Sequence, residues 1–224
     1  MKLLTVNNPK AQKSQNFGYL TGILHLLPHK LSGRNVCPKA SAGCRAACLN
    51  LSGKGRFSKV QNTRLRRTLM YFNHREAFLA HLRSDIYELR FLADELGLKP
   101  TVRINGTSDL PALAIRMAEE FPGIQFYDYT KITKTILRDD LPPNYSLTFS
   151  RSETNERDAF KVLDAGRNVS VVFDPVLPPT WHGYPVIDGD RHDLRFLDPE
   201  NVVVGLHPKG TLAKNDTSGF VVRV

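Results

Sequence analysis

The sequence predicts an α/β fold: a single domain of mostly parallel strands joined by crossover helices, in the form of an open partial β/α barrel. Three observations predict it. Strand candidates of about five residues alternate with helix candidates of about a dozen along most of the chain, and parallel pairing through right-handed crossovers explains this alternation. Hydrophobic residues make up 41% of the 224, which suffices for one sizeable core. Polar side chains recur directly after the strands, where parallel α/β folds place their sites.

The N-terminal part of the chain is predicted to hold one strand and the loop that follows it. Residues 1–16 are polar and show no hydrophobic period, so we expect a poorly ordered lead, with the α/β domain spanning 17–224. The first strand candidate covers residues 18–27 and ends at Pro28. Residues 31–43 then form a loop that contains several turn-forming residues.

A long helical pattern comes next. Apolar residues recur every three or four positions from Lys59 to Leu96, a stretch without proline or glycine, and Gly97 ends the pattern. Because this is long for one globular helix, we expect a break near Asn73 or His74. The later candidates, in chain order, are strand 101–105, helix 111–121, strand 124–129, helix 132–137, strand 146–149, helix 157–165, strand 168–173 and strand 202–206.

The three cysteines of the chain, Cys37, Cys44 and Cys48, all lie within one twelve-residue segment, 37–48. Cys44 and Cys48 are four positions apart, so a helix that begins at Cys44 presents both sulfurs on one face. An odd number of cysteines fits poorly with a disulfide framework, and no signal peptide pattern indicates an oxidising compartment. A metal centre is the better interpretation, with all three cysteines as its predicted ligands.

Two kinds of metal centre suit three neighbouring thiolates. An iron–sulfur cluster of the 4Fe-4S type can be held by three cysteines, which leaves the fourth iron to a substrate or another ligand. Zinc is the alternative, and it needs a fourth ligand to complete its tetrahedron. The histidines nearest in sequence are His25, His29 and His74. Buried, inert thiols without any metal are the third interpretation.

Polar residues after the predicted strands are the candidate site residues. Asp109 and Asp128 could accept a proton and Lys131 could hold a phosphate or carboxylate, so these three are the predicted catalytic residues. The predicted cofactor-binding residues are Asn105, Ser108, Ser150 and Arg151. Each group also has a structural explanation. The turn from Asn105 to Asp109 could cap the helix that opens at Pro111, and Asp128 could form an ion pair with Lys131.

The segment 184–198 interleaves aspartates with arginines and is interpreted as a lid over the site, with a surface turn as the alternative. Several familiar signatures do not occur in the sequence: the Walker loop, the dinucleotide glycine fingerprint, the nucleophile elbow and the zinc-protease helix. A hydrolase or a dinucleotide-dependent enzyme therefore loses support.

The chain is basic, with a formal net charge of +9 and a pI near 9.6, which attracts phosphate-bearing partners. The cations between Lys54 and Arg75 are not interrupted by any acidic residue. The predicted nucleic-acid-binding residues are Lys54, Arg56, Lys59, Arg64 and Arg67. A solvated helix face is the alternative. We therefore expect a nucleotide or nucleic acid as partner.

Long apolar runs of the kind that span a bilayer, about eighteen residues or more, do not occur in the sequence, and the N-terminus lacks a signal pattern. We therefore expect no membrane partner and a cytoplasmic location. The sequence does not set the oligomeric state.

Six motifs resemble the phage and plasmid proteins of the gene product 88 family, over nearly the full length of the chain. They are Cys-Pro-Lys-Ala-Ser-Ala-Gly-Cys-Arg-Ala-Ala-Cys-Leu-Asn, Val-Arg-Ile-Asn-Gly-Thr-Ser-Asp, Phe-Tyr-Asp-Tyr-Thr-Lys, Asn-Tyr-Ser-Leu-Thr-Phe-Ser-Arg-Ser-Glu, Val-Ile-Asp-Gly-Asp and Val-Val-Gly-Leu. The resemblance implies that these motifs belong together in one protein, and, for a phage-encoded protein, a location in the host cytoplasm. It implies no particular reaction.

The number and position of the cysteines are also similar to those of radical S-adenosylmethionine enzymes, whose partial β/α barrel binds a cluster through three cysteines after the first strand. This looser similarity implies a 4Fe-4S cluster and S-adenosylmethionine as cofactors. Six and three residues separate the cysteines here, which is wider than in that superfamily. Residues 105–109 also stand where that superfamily has a glycine-rich motif.

Together these features predict an iron–sulfur-cluster-binding, radical S-adenosylmethionine-like enzyme that acts on a nucleotide or nucleic acid. The alternative from another class is a zinc-stabilised, basic nucleic-acid-binding protein of phage or plasmid origin without catalysis. A base-exchanging enzyme with structural zinc is a third possibility and would need an aspartate nucleophile, for which Asp109 is the nearest candidate.

Overall fold

Strands and helices alternate along most of the chain, as the sequence predicts. The computed structural model describes residues 1–6 and 9–224. The strands are β1 (Leu4–Thr5), β2 (Tyr19–Leu24), β3 (Lys99–Arg103), β4 (Gln125–Thr130), β5 (Tyr145–Ser150), β6 (Val169–Asp174), β7 (Thr180–Trp181), β8 (Tyr184–Asp188), β9 (Val203–Leu206) and β10 (Val221–Arg223). The α-helices are α1 (Pro9–Gln15), α2 (Ala42–Ala46), α3 (Ser58–Asn73), α4 (Arg75–Glu95), α5 (Pro111–Glu120), α6 (Thr133–Ile136), α7 (Glu156–Asp164) and α8 (Thr211–Lys214). Short 3₁₀ turns cover Leu49–Leu51, Gly53–Arg56 and Arg195–Leu197.

The sheet is built on six parallel strands, β2, β3, β4, β5, β6 and β9, which lie side by side in chain order. The antiparallel β1 extends one edge, and β8 followed by β7 extends the other. β10 pairs in parallel with the C-terminal half of β6. The predicted single α/β domain with mostly parallel strands is therefore confirmed, and its sheet stays open instead of closing into a barrel.

The long helical pattern is divided as expected. α3 and α4 meet at His74, whose backbone leaves the helical region, and this confirms the predicted break near Asn73 or His74. Along α4 the buried side chains recur every three or four positions and face β2 and β3. The apolar ones among them are Phe78, Leu79, Leu82, Ile86, Leu89 and Ala93, and the polar one is Asp85.

The predicted N-terminal lead, residues 1–16, is described except for residues 7 and 8, and its described part contains regular elements. β1 and α1 lie within residues 1–16, and the side chains of Leu3 and Leu4 are buried. The Asp85 carboxylate of α4 accepts hydrogen bonds from the backbone N–H groups of both leucines, at 2.5 and 2.8 Å. Two adjacent apolar residues are too few to show a hydrophobic period, and the carboxylate that holds them is distant in sequence.

The face of the sheet that carries Tyr127 is covered by the residues after β8. Phe196 packs its ring against Tyr19 and Tyr127, with ring centroids 5.1 and 5.7 Å apart. Asp193 accepts a hydrogen bond from Arg103 Nη1 at 2.8 Å. The segment 184–198, interpreted as a lid, is therefore fastened to the fold by the Arg103–Asp193 pair and internally by the Arg195–Asp198 pair. None of the helices in residues 1–6 and 9–224 is both long and apolar enough to cross a bilayer.

Candidate functional site at the carboxyl ends of the strands

A cavity of about 230 Å³ lies where the parallel strands end. Its walls are formed by residues in the last part of the parallel strands and by residues that follow β2, β3, β4, β5, β8 and β9, together with Phe220 just before β10. This is the edge at which parallel α/β folds gather their functional groups. Of the residues predicted from sequence, the cavity is lined by Cys37, Cys44, Cys48, Asn105, Ser108, Asp109, Lys131, Ser150 and Arg151.

The three cysteines face this cavity together, each of them half-buried and without a disulfide partner. Burial raises the pKa of the Cys37 thiol to about 12, although its hydrogen bond from the His29 backbone opposes the rise. Burial likewise raises the pKa values of Cys44 and Cys48. The three sulfurs are therefore protonated near neutral pH unless a cation is present to stabilise the thiolates.

Helix α2 fixes the position of Cys44. The Ser41 side chain caps the helix by accepting a hydrogen bond from the Cys44 N–H at 3.2 Å. The Glu153 carboxylate, which follows β5, accepts bonds from Ser41 Oγ and from Gly43 N–H, both at 2.7 Å. A predicted helix carrying both Cys44 and Cys48 is not found, because α2 ends at Ala46 and Cys48 begins a 3₁₀ turn.

The arrangement of ligands does not match a mononuclear metal site. In residues 1–6 and 9–224, no three His, Cys, Asp or Glu side chains are placed to hold a single metal ion. The three histidines considered as a fourth zinc ligand are all described, and none of them lines the cavity. They are His25, His29 and His74. The sulfurs nevertheless share one cavity, and the Cys44 and Cys48 thiols lie near enough to Cys37 to raise its pKa further.

Asp128 lies beneath the cavity and does not line it. Its carboxylate accepts hydrogen bonds from Asn105 N–H at 2.7 Å, Asn105 Nδ2 at 2.9 Å and the Tyr145 hydroxyl at 3.2 Å. Burial raises its pKa to about 7. Asn105 Oδ1 in turn accepts bonds from Ser108 Oγ at 2.9 Å and Leu110 N–H at 2.8 Å. Asp128 therefore shapes the turn after β3 from a buried position outside the cavity lining.

Asp109 and Lys131 meet inside the cavity. The Asp109 carboxylate accepts bonds from Thr130 Oγ1 at 2.8 Å and from Lys131 N–H at 2.9 Å, and burial raises its pKa. The Lys131 ammonium donates to Ser150 Oγ at 2.7 Å and to the carbonyls of Ser150 and Arg151. Burial lowers the pKa of Lys131, and the nearby Cys44 and Asp109 oppose this shift. The ion pair considered between Lys131 and Asp128 does not form, because the ammonium is directed to Ser150.

Arg151 joins the wall of the cavity to the C-terminal segment. Its guanidinium forms an ion pair with Glu156 and donates to the carbonyl oxygens of Gly219 and Phe220. These bonds place the Phe220 ring 5.6 Å from Lys131 Nζ. Arg151, predicted to bind a cofactor, therefore holds the segment that carries Phe220.

One part of the cavity wall was not among the predicted site residues. Asp190 accepts hydrogen bonds from His207 N–H at 3.1 Å, from His207 Nδ1 at 3.0 Å and from Lys209 Nζ at 2.9 Å. His207 and Lys209 follow β9, and Asp190 is the one residue of the fully described segment 184–198 that reaches the cavity. His207 and Lys209 follow a predicted strand, but the sequence alone does not show that the end of this strand lies beside the cysteines.

Arg103 is a second missed residue. It lines the cavity, is 6% exposed and has its guanidinium carbon 4.7 Å from the Tyr129 ring centroid. The Asp193 charge keeps its pKa raised although burial lowers it. A charged side chain between the apolar Val102 and Ile104, at the end of β3, is the sequence signal that indicates Arg103.

The comparisons with known proteins concern the whole chain. A family model described as Gene product 88 matches residues 1–224. The chain belongs to the gene product 88 family. No curated protein and no solved structure matches it. The family resemblance read from the six motifs is thereby confirmed, whereas none of the comparisons supports the looser similarity to radical S-adenosylmethionine enzymes.

In this gene product 88 chain the predicted nucleic-acid-binding residues divide into two groups. Lys54, Arg56 and Lys59 are exposed beside the cysteine-bearing wall. Arg64 and Arg67 are buried: Arg64 bonds the Asn50 side chain, and Arg67 donates to the Lys2 carbonyl oxygen at 2.9 Å. These two arginines do not belong to a nucleic-acid surface, because they lie on the inner face of α3 with Thr68 and Tyr71.

Proposed function

We propose that this gene product 88 protein is an enzyme that binds an iron–sulfur cluster through Cys37, Cys44 and Cys48 and acts on a nucleotide or nucleic acid. The observation that supports it best is the meeting of all three cysteines of the chain in one cavity at the carboxyl ends of the strands. Cys37 comes from the loop after β2, and Cys44 and Cys48 come from helix α2 and the residues just after it. Three thiols that face one cavity are expected of ligands, whereas inert cysteines are usually packed into the core.

The chemistry of the donors favours a cluster over one zinc ion. Two thiolates on one zinc lie about 3.8 Å apart, because each Zn–S bond is about 2.3 Å long. A 4Fe-4S cluster attaches each thiolate to a different iron and holds the sulfurs farther apart. The described residues contain no group of three such ligands around one point, which argues against a single zinc ion, and the shared cavity is the observation that supports a cluster. The Lys131 ammonium lies close enough to Cys44 to balance the negative charge of bound thiolates.

When bound, such a cluster supplies one-electron chemistry or a Lewis-acidic iron at its open corner. The protein side chains would orient the substrate. Lys131 and Ser150 form a hydrogen-bonded pair that can receive a phosphate or carboxylate, and Asp109 can hold a proton beside it. S-adenosylmethionine is a candidate second cofactor in this cavity.

The test is anaerobic purification and reconstitution with iron and sulfide, followed by metal and sulfide analysis and a visible absorption spectrum. We expect iron and sulfide in cluster proportion and a broad thiolate-to-iron absorption band. Cys37→Ser, Cys44→Ser and Cys48→Ser should each lose the band, and Ser152→Ala, a substitution of a buried hydroxyl outside the cavity, should keep it. One zinc per chain without sulfide would contradict the proposal.

A second candidate function is nucleic-acid binding without catalysis, with zinc holding the cysteine loop. The exposed cations at Lys54, Arg56 and Lys59 favour it. It requires a colourless protein that binds nucleic acid equally well after Asp109→Asn and Lys131→Met, substitutions that would inactivate an enzyme of the kind proposed.

A further inference from the structure

The charges of this chain are divided sharply along the sequence. Residues 1–75 contain 14 of the 31 Lys and Arg residues and none of the 22 Asp and Glu residues. The rest of the chain carries the other 17 cations against all 22 acids, so it is net negative by five. The whole positive balance therefore belongs to the part that carries the three cysteines. Charge of one sign on one region directs a polyanion to that region.

The cations of this part point to solvent around the cysteines. Arg34, Lys39, Arg45, Lys54, Arg56 and Lys59 are all exposed. The same stretch of chain lines the cavity from within through Cys37, Cys44, Cys48 and Leu49. One wall of the cavity is therefore basic on its outer side and thiol-bearing on its inner side. We call residues 34–59 the cysteine segment.

The cations inside the cavity are mostly neutralised by acidic partners. Their ion pairs are Arg103 with Asp193, Lys209 with Asp190, and Arg151 with Glu156. Lys131 is held by oxygens that carry no formal charge. The cations that can contact several phosphates therefore lie outside the cavity, along the cysteine segment. A free nucleotide would place its phosphates inside, whereas a polynucleotide would place one unit inside and its remaining backbone along the outer side.

An exposed aromatic ring lies among the outer cations. Phe57 is 55% exposed, and Arg56 and Lys59 flank it. Aromatic rings interleaved with cations are the stacking platforms that bind unpaired bases. The thiols line the inside of the cavity, where a base that is still stacked in a duplex does not reach. A nucleotide that reaches the thiols has to be unpaired.

We propose that the cysteine segment binds single-stranded nucleic acid, with Lys54, Arg56 and Lys59 contacting phosphates and Phe57 stacking on a base. The proposal rests on the proposed function for the chemistry at the thiols and names the substrate class of that site. The strand crosses the outer side of the segment and delivers one nucleotide into the cavity.

The test is fluorescence anisotropy with labelled single-stranded DNA, single-stranded RNA and duplex DNA of equal length, over a series of salt concentrations. We expect tighter binding of single strands than of duplex, and an affinity that falls linearly with salt on logarithmic axes. The triple variant Lys54→Ala, Arg56→Ala, Lys59→Ala should reduce the salt slope by about two, since each lost contact removes about 0.7. Phe57→Ala should weaken single-strand binding about tenfold.

Matched controls remove equal charge or equal exposed aromatic surface elsewhere. The triple variant Lys99→Ala, Lys134→Ala, Lys214→Ala lacks three exposed lysines outside residues 1–75, and Phe91→Ala lacks a ring that is 66% exposed. Both should bind single strands as the unaltered protein does. Equal binding of duplex and single strands, or equal losses in test and control variants, would overturn the inference. The DNA and RNA arms identify which strand is bound.

Iron and sulfide are measured on the same preparations, so that the two proposals fail separately. A cluster-containing protein that does not bind single strands would refute this inference and leave the cluster in place. A zinc protein that binds single strands through the cysteine segment would refute the proposed function and leave the surface in place.

Discussion

The Glu153 carboxylate accepts a hydrogen bond from the Gly43 backbone N–H at 2.7 Å and so joins the end of β5 to the helix that carries Cys44. Gly43 has no space for a larger side chain. A Cβ there would collide with Ser218 Oγ, the Glu153 carboxylate and Phe220. The cysteine helix, the β5 loop and the C-terminal segment therefore meet at one glycine, and the position of a predicted metal ligand depends on it.

Gly43→Ala should lower the free energy of unfolding by about 1–3 kcal/mol, because overpacking forces the neighbouring side chains and backbone apart. Chemical denaturation measures the change. Gly123→Ala is the matched control, since a Cβ at Gly123 meets nothing within 4 Å. Equal stability of the two variants would contradict the close contact of the three segments at Gly43.

Asp128 should make the protein less stable as the pH rises. Its ordinary pKa of 3.8 is raised to about 7 by burial, so between these values the folded state keeps a proton that the unfolded state releases. The free energy of unfolding then falls with increasing pH, by up to about 1.4 kcal/mol per pH unit for this one group, and levels off above pH 7. Asp109, whose pKa is also raised by burial, adds a slope of the same sign.

Urea unfolding at a series of pH values measures this slope. Asp128→Asn should flatten it, because an amide has no proton to release, and the exposed Asp139→Asn should leave it unchanged. Unaltered pH dependence in Asp128→Asn would show that another group carries the titration.

The three thiols should react slowly with an alkylating reagent in the metal-free protein. Burial raises all three pKa values, that of Cys37 to about 12, and only the thiolate is nucleophilic. At about pH 8 we expect alkylation slower than in the urea-unfolded chain, with a rate that rises with pH. Mass spectrometry of each cysteine-containing peptide measures the rates. A folded protein whose cysteines react as fast as those of the unfolded chain would contradict their burial in the cavity.

Arg67→Ala should destabilise the protein by about 1–3 kcal/mol, because it removes a charged donor from the Lys2 carbonyl and leaves a space inside the fold. Its neighbour on α3, Arg66, is exposed, and Arg66→Ala should change the free energy of unfolding by less than about 0.5 kcal/mol. Thermal or chemical denaturation of the two variants separates a structural arginine from a surface one. Equal effects would place both side chains in solvent.

The order of strands and helices was predictable because it depends on local patterns. The hydrophobic period of α4, the break at His74 and the polar residues after β3, β4 and β5 can all be read within short windows. The edge strands β7 and β8 were not predicted, because they are short and half-exposed and show no period. β1 was missed because its support comes from Asp85 on α4.

The candidate site was predictable to the extent that its members follow strands. Convergence of the cysteines with Asn105, Asp109 and Lys131 agrees with the rule for parallel sheets. The burial of Asp128 was not predictable, because it depends on Asn105 and Tyr145 closing over it. Arg64 and Arg67 are predicted on the binding surface because charged residues are usually exposed. Their spacing along α3, however, puts them on the same face of the helix as the buried Tyr71.

The order of the sheet also bears on how the molecule assembles. From β2 to β6, each new strand is hydrogen-bonded to the one synthesised before it. Each of these strands can therefore add to an edge that is already present, but parallel pairing through long crossovers is slow, and the β2–β3 pair joins the most distant residues, Tyr19 and Lys99. Closure of the β2–β3 crossover is therefore expected to limit the rate at which the sheet assembles, and the wall with His207 and Lys209 completes it when β9 pairs with β6.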